Sequence, residues 1–196
     1  MNSKYATTRQ LAGTALFTAL VVILQLLGSF IRFGPFSVSL VALPIVVGAA
    51  VYGAGCGVWL GFVFGGAVLF SGDAAPFLAV NPLGAVVTVL SKGLLCGAAA
   101  GGVYELLARK NGTAGAVASA IVCPVVNTGV FLVCCRSFFM PLLTEWARNF
   151  GFGDNVARYM ILGLVGGNFL VELGINMLLS PIILRLIRYG RREKKS

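Results

Sequence analysis

The sequence predicts an all-α, polytopic membrane protein with six transmembrane helices, both termini in the cytoplasm and a single domain over residues 1–196. Hydrophobic residues make up 58% of the chain and charged residues 11%, whereas a soluble domain carries about 25% charged residues. The charged residues are therefore too few to cover a surface that faces water. The apolar residues form runs that match the roughly 20 residues a helix needs to cross a bilayer.

Turn-forming residues divide the apolar runs into six predicted spans. Gly34 and Pro35 end the first span, and Gly53 and Gly55 interrupt an apolar stretch that is too long for one crossing. The spans are expected at residues 11–31, 38–52, 56–71, 83–108, 114–139 and 160–184. The connection before the last span has apolar residues at helical spacing, which predicts a short amphipathic helix around Trp146 at the membrane surface.

The positions of lysine and arginine set the predicted orientation. With six spans, one side of the membrane holds both termini, the Arg109–Lys110 pair and most of the positive charge. Because positive residues favour the cytoplasmic side, both termini are expected there. The basic tail after residue 184 can also contact anionic lipid, and no nucleic-acid partner is indicated.

The residue types that are missing exclude several kinds of chemistry. The chain has no histidine, so it cannot form a Ser-His or Cys-His nucleophile pair or a histidine zinc site. It also lacks the G-x-x-x-x-G-K-[ST] motif, so any ATP-driven step must come from a partner. The five cysteines lie in apolar runs without a C-x-x-C pair and are expected to be buried rather than disulfide-bonded. No enzyme activity, metal or cofactor is therefore expected.

Lys92 is a cation inside an apolar run that is long enough to span a membrane. Exposing it to lipid would cost about 2.5–3.5 kcal/mol, so the side chain is expected to face protein, a ligand or a wet cavity. Glycines at every fourth residue form a stripe after it that lets another helix approach closely: Gly93, Gly97 and Gly101. The expected mate is a second stripe in the third span: Gly57, Gly61 and Gly65.

Further polar side chains lie at a similar depth on the last two spans. At about 1.5 Å per residue, Lys92 and Asn168 lie about 13 Å from the outer ends of their helices, and Asn127 about 18 Å. Glu172 and Asn176 follow Asn168 at successive turns on one helix face. Because buried polar groups need partners, we expect these side chains to converge on one another or on a ligand. A Lys92–Glu172 pair that only stabilises the bundle is the alternative.

The outer connections supply a second set of candidate contacts. Arg32 and Phe33 follow the first span, and Asp73 and Asn81 lie before the fourth. We expect these four residues to cover a cavity that opens outward. If Arg32 and Lys92 both face that cavity, an anionic ligand is favoured. If Lys92 instead pairs with Glu172, the preference for an anionic ligand disappears.

Three segments, together with the six short spans, carry a resemblance to a known family: Ala15-Leu-Phe-Thr-Ala19, Leu43-Pro-Ile-Val-Val-Gly-Ala-Ala-Val-Tyr-Gly53 and Cys123-Pro-Val-Val-Asn-Thr-Gly-Val-Phe131. The chain resembles the substrate-binding S component of energy-coupling factor (ECF) vitamin importers. The resemblance implies a subunit in the inner (plasma) membrane of a bacterium that captures a vitamin or related micronutrient from outside. Delivery would then run through a transmembrane T component and two cytoplasmic ATPases.

The resemblance also implies roles for particular residues. Small residues on the first helix would pack against the T component, a role carried here to Ala12, Ala15 and Ala19. Substrate contacts would lie on the outward halves of the later helices and on the outer connections. The candidates there are Arg32, Phe33, Asp73, Asn81, Lys92, Asn127, Asn168 and Glu172.

Two other function classes stay open. In a small proton-coupled secondary transporter that acts alone, Glu172 would carry the proton. An intramembrane enzyme is disfavoured by the lack of histidine and of paired acids at a workable spacing. The sequence carries no signature of a particular vitamin.

Overall fold

The computed structural model describes the backbone of residues 2–30, 32–33, 36–37 and 40–193. Nearly all of these residues lie in helices. Side chains are described for the same residues except 2–7, 9, 32–33, 36–37, 165, 167–168, 180 and 190–193. The first half contains α1 (Asn2–Gly28), β1 (Arg32–Phe33), β2 (Phe36–Ser37), α2 (Ala42–Tyr52), α3 (Ala54–Phe70) and α4 (Ala75–Val80). The second half contains α5 (Pro82–Ala108), α6 (Gly112–Phe138), α7 (Met140–Asn149), α8 (Val156–Arg158), a π-helical segment (Tyr159–Gly166) and α9 (Gly167–Glu193).

The apolar helices lie where the sequence predicts them. Four are long and apolar enough to cross a membrane: Gln10–Gly28, Pro82–Ala108, Gly112–Phe138 and Val156–Leu179. By contrast, α2 and α3 have only 11 and 17 residues, or about 16 and 25 Å at 1.5 Å per residue. The hydrocarbon core of a bilayer is about 30 Å thick. Their length alone therefore assigns a crossing to neither, and the six-span topology stays a prediction.

The first connection is a short antiparallel pair instead of a simple turn. β1 and β2 pair with Arg32 opposite Ser37. The predicted turn residues between them, Gly34 and Pro35, lie outside the described residues. This pair is the one departure from an all-α fold in the part of the chain that the structure describes.

The helix α2 starts later than predicted and lies inside the bundle. It begins at Ala42, so Pro44 falls in its first turn, where a proline interrupts no helical hydrogen bond. All of its residues except Leu43 and Tyr52 are buried. The break predicted after it is confirmed at Gly53, whose φ of 99° lies in the left-handed region that favours glycine.

The two glycine stripes face each other between α3 and α5, as predicted. A Cβ atom added at Gly57 would lie 2.6 Å from the carbonyl oxygen of Gly97, and Gly61 approaches Gly93 more closely still. No side chain fits between the two helices, so their backbones are in direct contact. We call this contact the glycine seam, formed by Gly57, Gly61 and Gly65 of α3 and Gly93 and Gly97 of α5.

An aromatic cluster closes the end of the bundle where α4 and α7 lie. The ring centroid of Phe77 lies 5.6 Å from Phe131, 5.0 Å from Phe139 and 5.6 Å from Trp146, all in edge-to-face contacts. These four rings define the aromatic cluster. The amphipathic helix predicted around Trp146 is confirmed as α7, which packs its apolar residues into the bundle: Leu142, Leu143 and Ala147 are buried.

The glycine seam predicts that Gly61→Ala destabilises the protein. The added methyl group would collide with the backbone of Gly93, and such overpacking costs about 1–3 kcal/mol. The midpoint of thermal unfolding in detergent should therefore fall. Gly66→Ala on the same helix is the matched control, because nothing lies within 4 Å of a Cβ atom there. Equal midpoints for the two variants would contradict the seam.

Candidate functional site

A small cavity lies where five helices meet. Its volume is about 10 Å³, roughly what one water molecule needs. Its wall is formed by Val41, Ala42, Ile45, Phe64, Cys96, Cys123, Pro124, Asn127 and Glu172. Packed side chains fill most of the space at this point, so this cavity is too small for a vitamin, and the outward-opening cavity expected from the sequence stays a prediction.

Two of the predicted polar residues reach this cavity. Asn127 follows Pro124 on α6, and its Oδ1 atom is buried without a hydrogen-bond partner. Glu172 on α9 is only 6% exposed, and Asn176, one turn further on, is also buried. The polar face predicted for the last helix is thus present at Glu172 and Asn176. The side chain of Asn168 lies outside the described residues.

Lys92 lies beside the cavity rather than in its wall. Its Nζ atom is 5.2 Å from the ring centroid of Phe64 and 5.4 Å from that of Phe131. Aromatic faces attract a cation, by about 2 kcal/mol or more where water is excluded. Among the carboxylates, Glu172 acts on the lysine most strongly and Asp73 more weakly. The prediction that Lys92 faces protein instead of lipid is confirmed.

One face of α1 is exposed and consists of small and aliphatic side chains. Ala12, Ala15 and Ala19 are all exposed. Leu16 and Leu20 beside them are 62% and 37% exposed. Small residues allow another membrane helix to approach closely, so this face suits contact with a partner helix as well as with lipid.

A model of the family described as ECF transporter, substrate-specific component matches residues 9–184 of the sequence. The chain belongs to this family. No curated protein matches it. The family assignment confirms the resemblance that the sequence carries, and it covers all of the helices from α2 to α8 and most of α1 and α9.

Membership assigns the molecule its class. An ECF substrate-specific component is a multi-pass membrane protein that binds a small-molecule substrate and associates with the T component and ATPase modules of the transporter. Members of the family are substrate-binding subunits and not enzymes. The residues around the cavity are therefore considered below as binding groups.

Two outer-loop candidates of this ECF component, Asp73 and Asn81, are not part of the cavity wall. The carboxylate of Asp73 accepts a hydrogen bond from Gln25 Nε2 at 2.8 Å and another from Ser71 Oγ at 3.0 Å. Asn81 precedes α5, and its Oδ1 atom accepts from the backbone N–H of Gly84 at 2.9 Å. Both side chains thus stabilise local structure: Asp73 ties α1 to the end of α3, and Asn81 caps a helix. The backbones of Arg32 and Phe33 form β1, and their side chains lie outside the described residues.

Four residues at the site were not predicted. Phe64 and Phe131 enclose the lysine, and Cys96 and Cys123 contact each other at the cavity wall. Cys96 lies one turn beyond Lys92, and this spacing places both residues on one helix face. The sequence could therefore have indicated Cys96 as a neighbour of the site. The two phenylalanines carry no such signal, because most of the 14 phenylalanines lie in similar apolar runs.

Energetic coupling between Lys92 and Glu172 is the first prediction from this geometry. A double-mutant cycle with Lys92→Met and Glu172→Gln should give an interaction free energy of about 0.5–3 kcal/mol, because each single change leaves the other charge uncompensated. The unfolding free energies can be measured by denaturant titration in mixed micelles. A cycle with Lys92→Met and Asp73→Asn is the comparison, and its coupling should be smaller. Equal coupling in the two cycles would contradict the assignment of Glu172 as the main partner.

Proposed function

We propose that this ECF component captures a vitamin or related micronutrient from outside a bacterial cell and delivers it through a T component and two ATPases. The observation that carries the proposal is the Oδ1 atom of Asn127, which is buried at the cavity without a hydrogen-bond partner. An unsatisfied buried acceptor costs about 1–3 kcal/mol. A substrate that supplies a donor recovers this free energy, so the position of the orphan acceptor supports a binding site at the cavity.

In the proposed arrangement all six apolar helices cross the membrane and both termini are cytoplasmic. The excess of lysine and arginine on the side of the termini supports this orientation. The shortness of α2 and α3 is compatible with it, since a bilayer thins locally around a short helix at a modest cost. The end of the bundle with α4, α7 and the aromatic cluster then faces the outside.

The cavity must widen to hold a vitamin, and regular helix is interrupted at Pro124 in its wall and again in the segment before α9. Pro124 on α6 leaves the carbonyl group of Ala120 without its usual helical donor. The π-helical segment leads directly into the helix that carries Glu172, and such segments are frequent at functional sites. We propose that α6 and α9 shift at these points to admit the substrate.

Uptake by cells distinguishes the proposed function from its alternative. The compound that copurifies with the chain is identified by mass spectrometry, and its uptake is measured with and without the T component and both ATPases. The proposal requires uptake only when the ATPases are present and active. Uptake by the chain alone that stops on addition of an uncoupler would instead identify a proton-coupled transporter, in which Glu172 carries the proton.

The exposed face of α1 predicts separate effects on assembly and on binding. Ala15→Leu or Ala19→Leu adds bulk to a face that has no role in the cavity, so each variant should lose the T component while its substrate affinity changes less than about threefold. Copurification with the tagged T component measures assembly. Ala79→Leu, an exposed alanine on α4, is the control and should assemble normally. Normal assembly of both α1 variants would show that the T component binds elsewhere.

A further inference from the structure

Positive side chains from two separate parts of the chain meet at the end of the bundle where α9 finishes. Arg109 and Lys110 lie in the tight turn between α5 and α6. The Nη2 atom of Arg188 on α9 donates a hydrogen bond to Thr113 Oγ1, just after that turn, at 3.3 Å. Arg185 lies one turn before Arg188 on the same face of α9. These four cations, without the threonine, define the basic patch.

No acidic side chain in the described part of the chain neutralises the basic patch. All four cations are exposed, and none of them forms an ion pair with a described residue. Glu105 lies one turn before Arg109, but its Oε1 atom accepts a hydrogen bond from the backbone N–H of Ala54 at 2.9 Å. Because like charges on neighbouring segments repel one another, an anion that binds to all of them stabilises this end of the bundle.

Exposed apolar side chains lie one turn from the basic patch, towards the middle of each helix. On α5, Leu106 is 68% exposed and precedes Arg109 by one turn. On α9, Ile182 is 49% exposed and precedes Arg185 by one turn. The exposed ring of Tyr189 lies beside the patch, and tyrosine is enriched where a membrane meets water. This succession matches a phospholipid, in which acyl chains continue into a phosphate group. An acidic soluble protein would leave the aliphatic side chains uncovered.

We propose that the basic patch binds the phosphate group of an anionic phospholipid, whose acyl chains lie against the exposed aliphatic side chains of α5 and α9. A guanidinium group binds phosphate through two parallel hydrogen bonds, and basic pockets between membrane helices bind anionic head groups. The bound lipid holds the turn before α6 and the end of α9 together. This role is separate from substrate capture and does not depend on it.

The test is the lipid selectivity of the purified full-length chain in nanodiscs of equal parts phosphatidylglycerol and phosphatidylcholine. Lipids that stay bound when the chain is released are identified and counted by native mass spectrometry. Each cation at a membrane surface favours anionic lipid by about fivefold in the binding constant, so phosphatidylglycerol should predominate. Both leaflets of these discs have the same composition, so the result does not depend on the orientation of the chain. Equal retention of the two lipids would overturn the proposal.

Two charge-matched double variants locate the selectivity. Arg185→Gln combined with Arg188→Gln should lower the preference for phosphatidylglycerol by at least about fivefold. Arg136→Gln combined with Arg158→Gln removes the same charge from exposed arginines at the opposite ends of α6 and of the last span, and should preserve the preference. An equal loss in both double variants would reveal a general effect of charge and overturn the site. Displacement of the lipid by inorganic phosphate would also overturn it, because the site would then be one for the free anion.

Assembly distinguishes a lipid from an acidic protein as the occupant of the basic patch. The variant with Arg185→Gln and Arg188→Gln should still copurify with the tagged T component and the ATPases in detergent. If it loses these partners but keeps its preference for phosphatidylglycerol, the patch is a protein-docking surface and the proposal is wrong. Failure of the unmodified complex to take up substrate would count against the proposed function and leave the lipid selectivity unaffected.

Discussion

Direct backbone contact between α3 and α5 determines the surroundings of the half-buried Lys92. Because the glycine seam lets the two helices touch, Phe64 on α3 reaches Lys92 on α5. The ammonium group then lies against aromatic faces that replace part of its hydration shell. With a larger residue in the seam, the ring and the cation would separate, and the lysine would lose one of its two aromatic contacts.

The aromatic cluster, the lysine and the cavity form one continuous column of contacts. Phe77 packs against Phe131, and the ring of Phe131 also contacts the lysine. Phe64 joins the lysine to the cavity wall.

The two faces of α1 have different surroundings. Its alanine-bearing face is exposed, as a surface for a membrane partner must be. Its opposite face packs into the bundle, where Gln25 is buried and donates to Asp73 in the loop after α3. A single rigid helix thus connects the proposed partner surface to the loop before α4, which carries part of the aromatic cluster.

Several features of this protein follow from the sequence alone. The composition predicts a helical membrane protein, and the spacing of the glycines predicts the seam. The cost of exposing a charge to lipid predicts that Lys92 faces inward. Each of these depends on one helix or on a local pattern. The break at Gly53 is of the same kind, because only glycine adopts its backbone conformation easily.

The composition of the binding site was decided by the tertiary structure. Asp73 and Asn81 were candidates by their position in the loops, yet local hydrogen bonds from Gln25 and Gly84 occupy them. Phe64 and Phe131 had no distinguishing pattern but enclose the lysine. The rise per residue predicts how deep a side chain lies. Which side chains meet at that depth depends on the rotation and tilt of each helix, and these arise only when all the helices pack together.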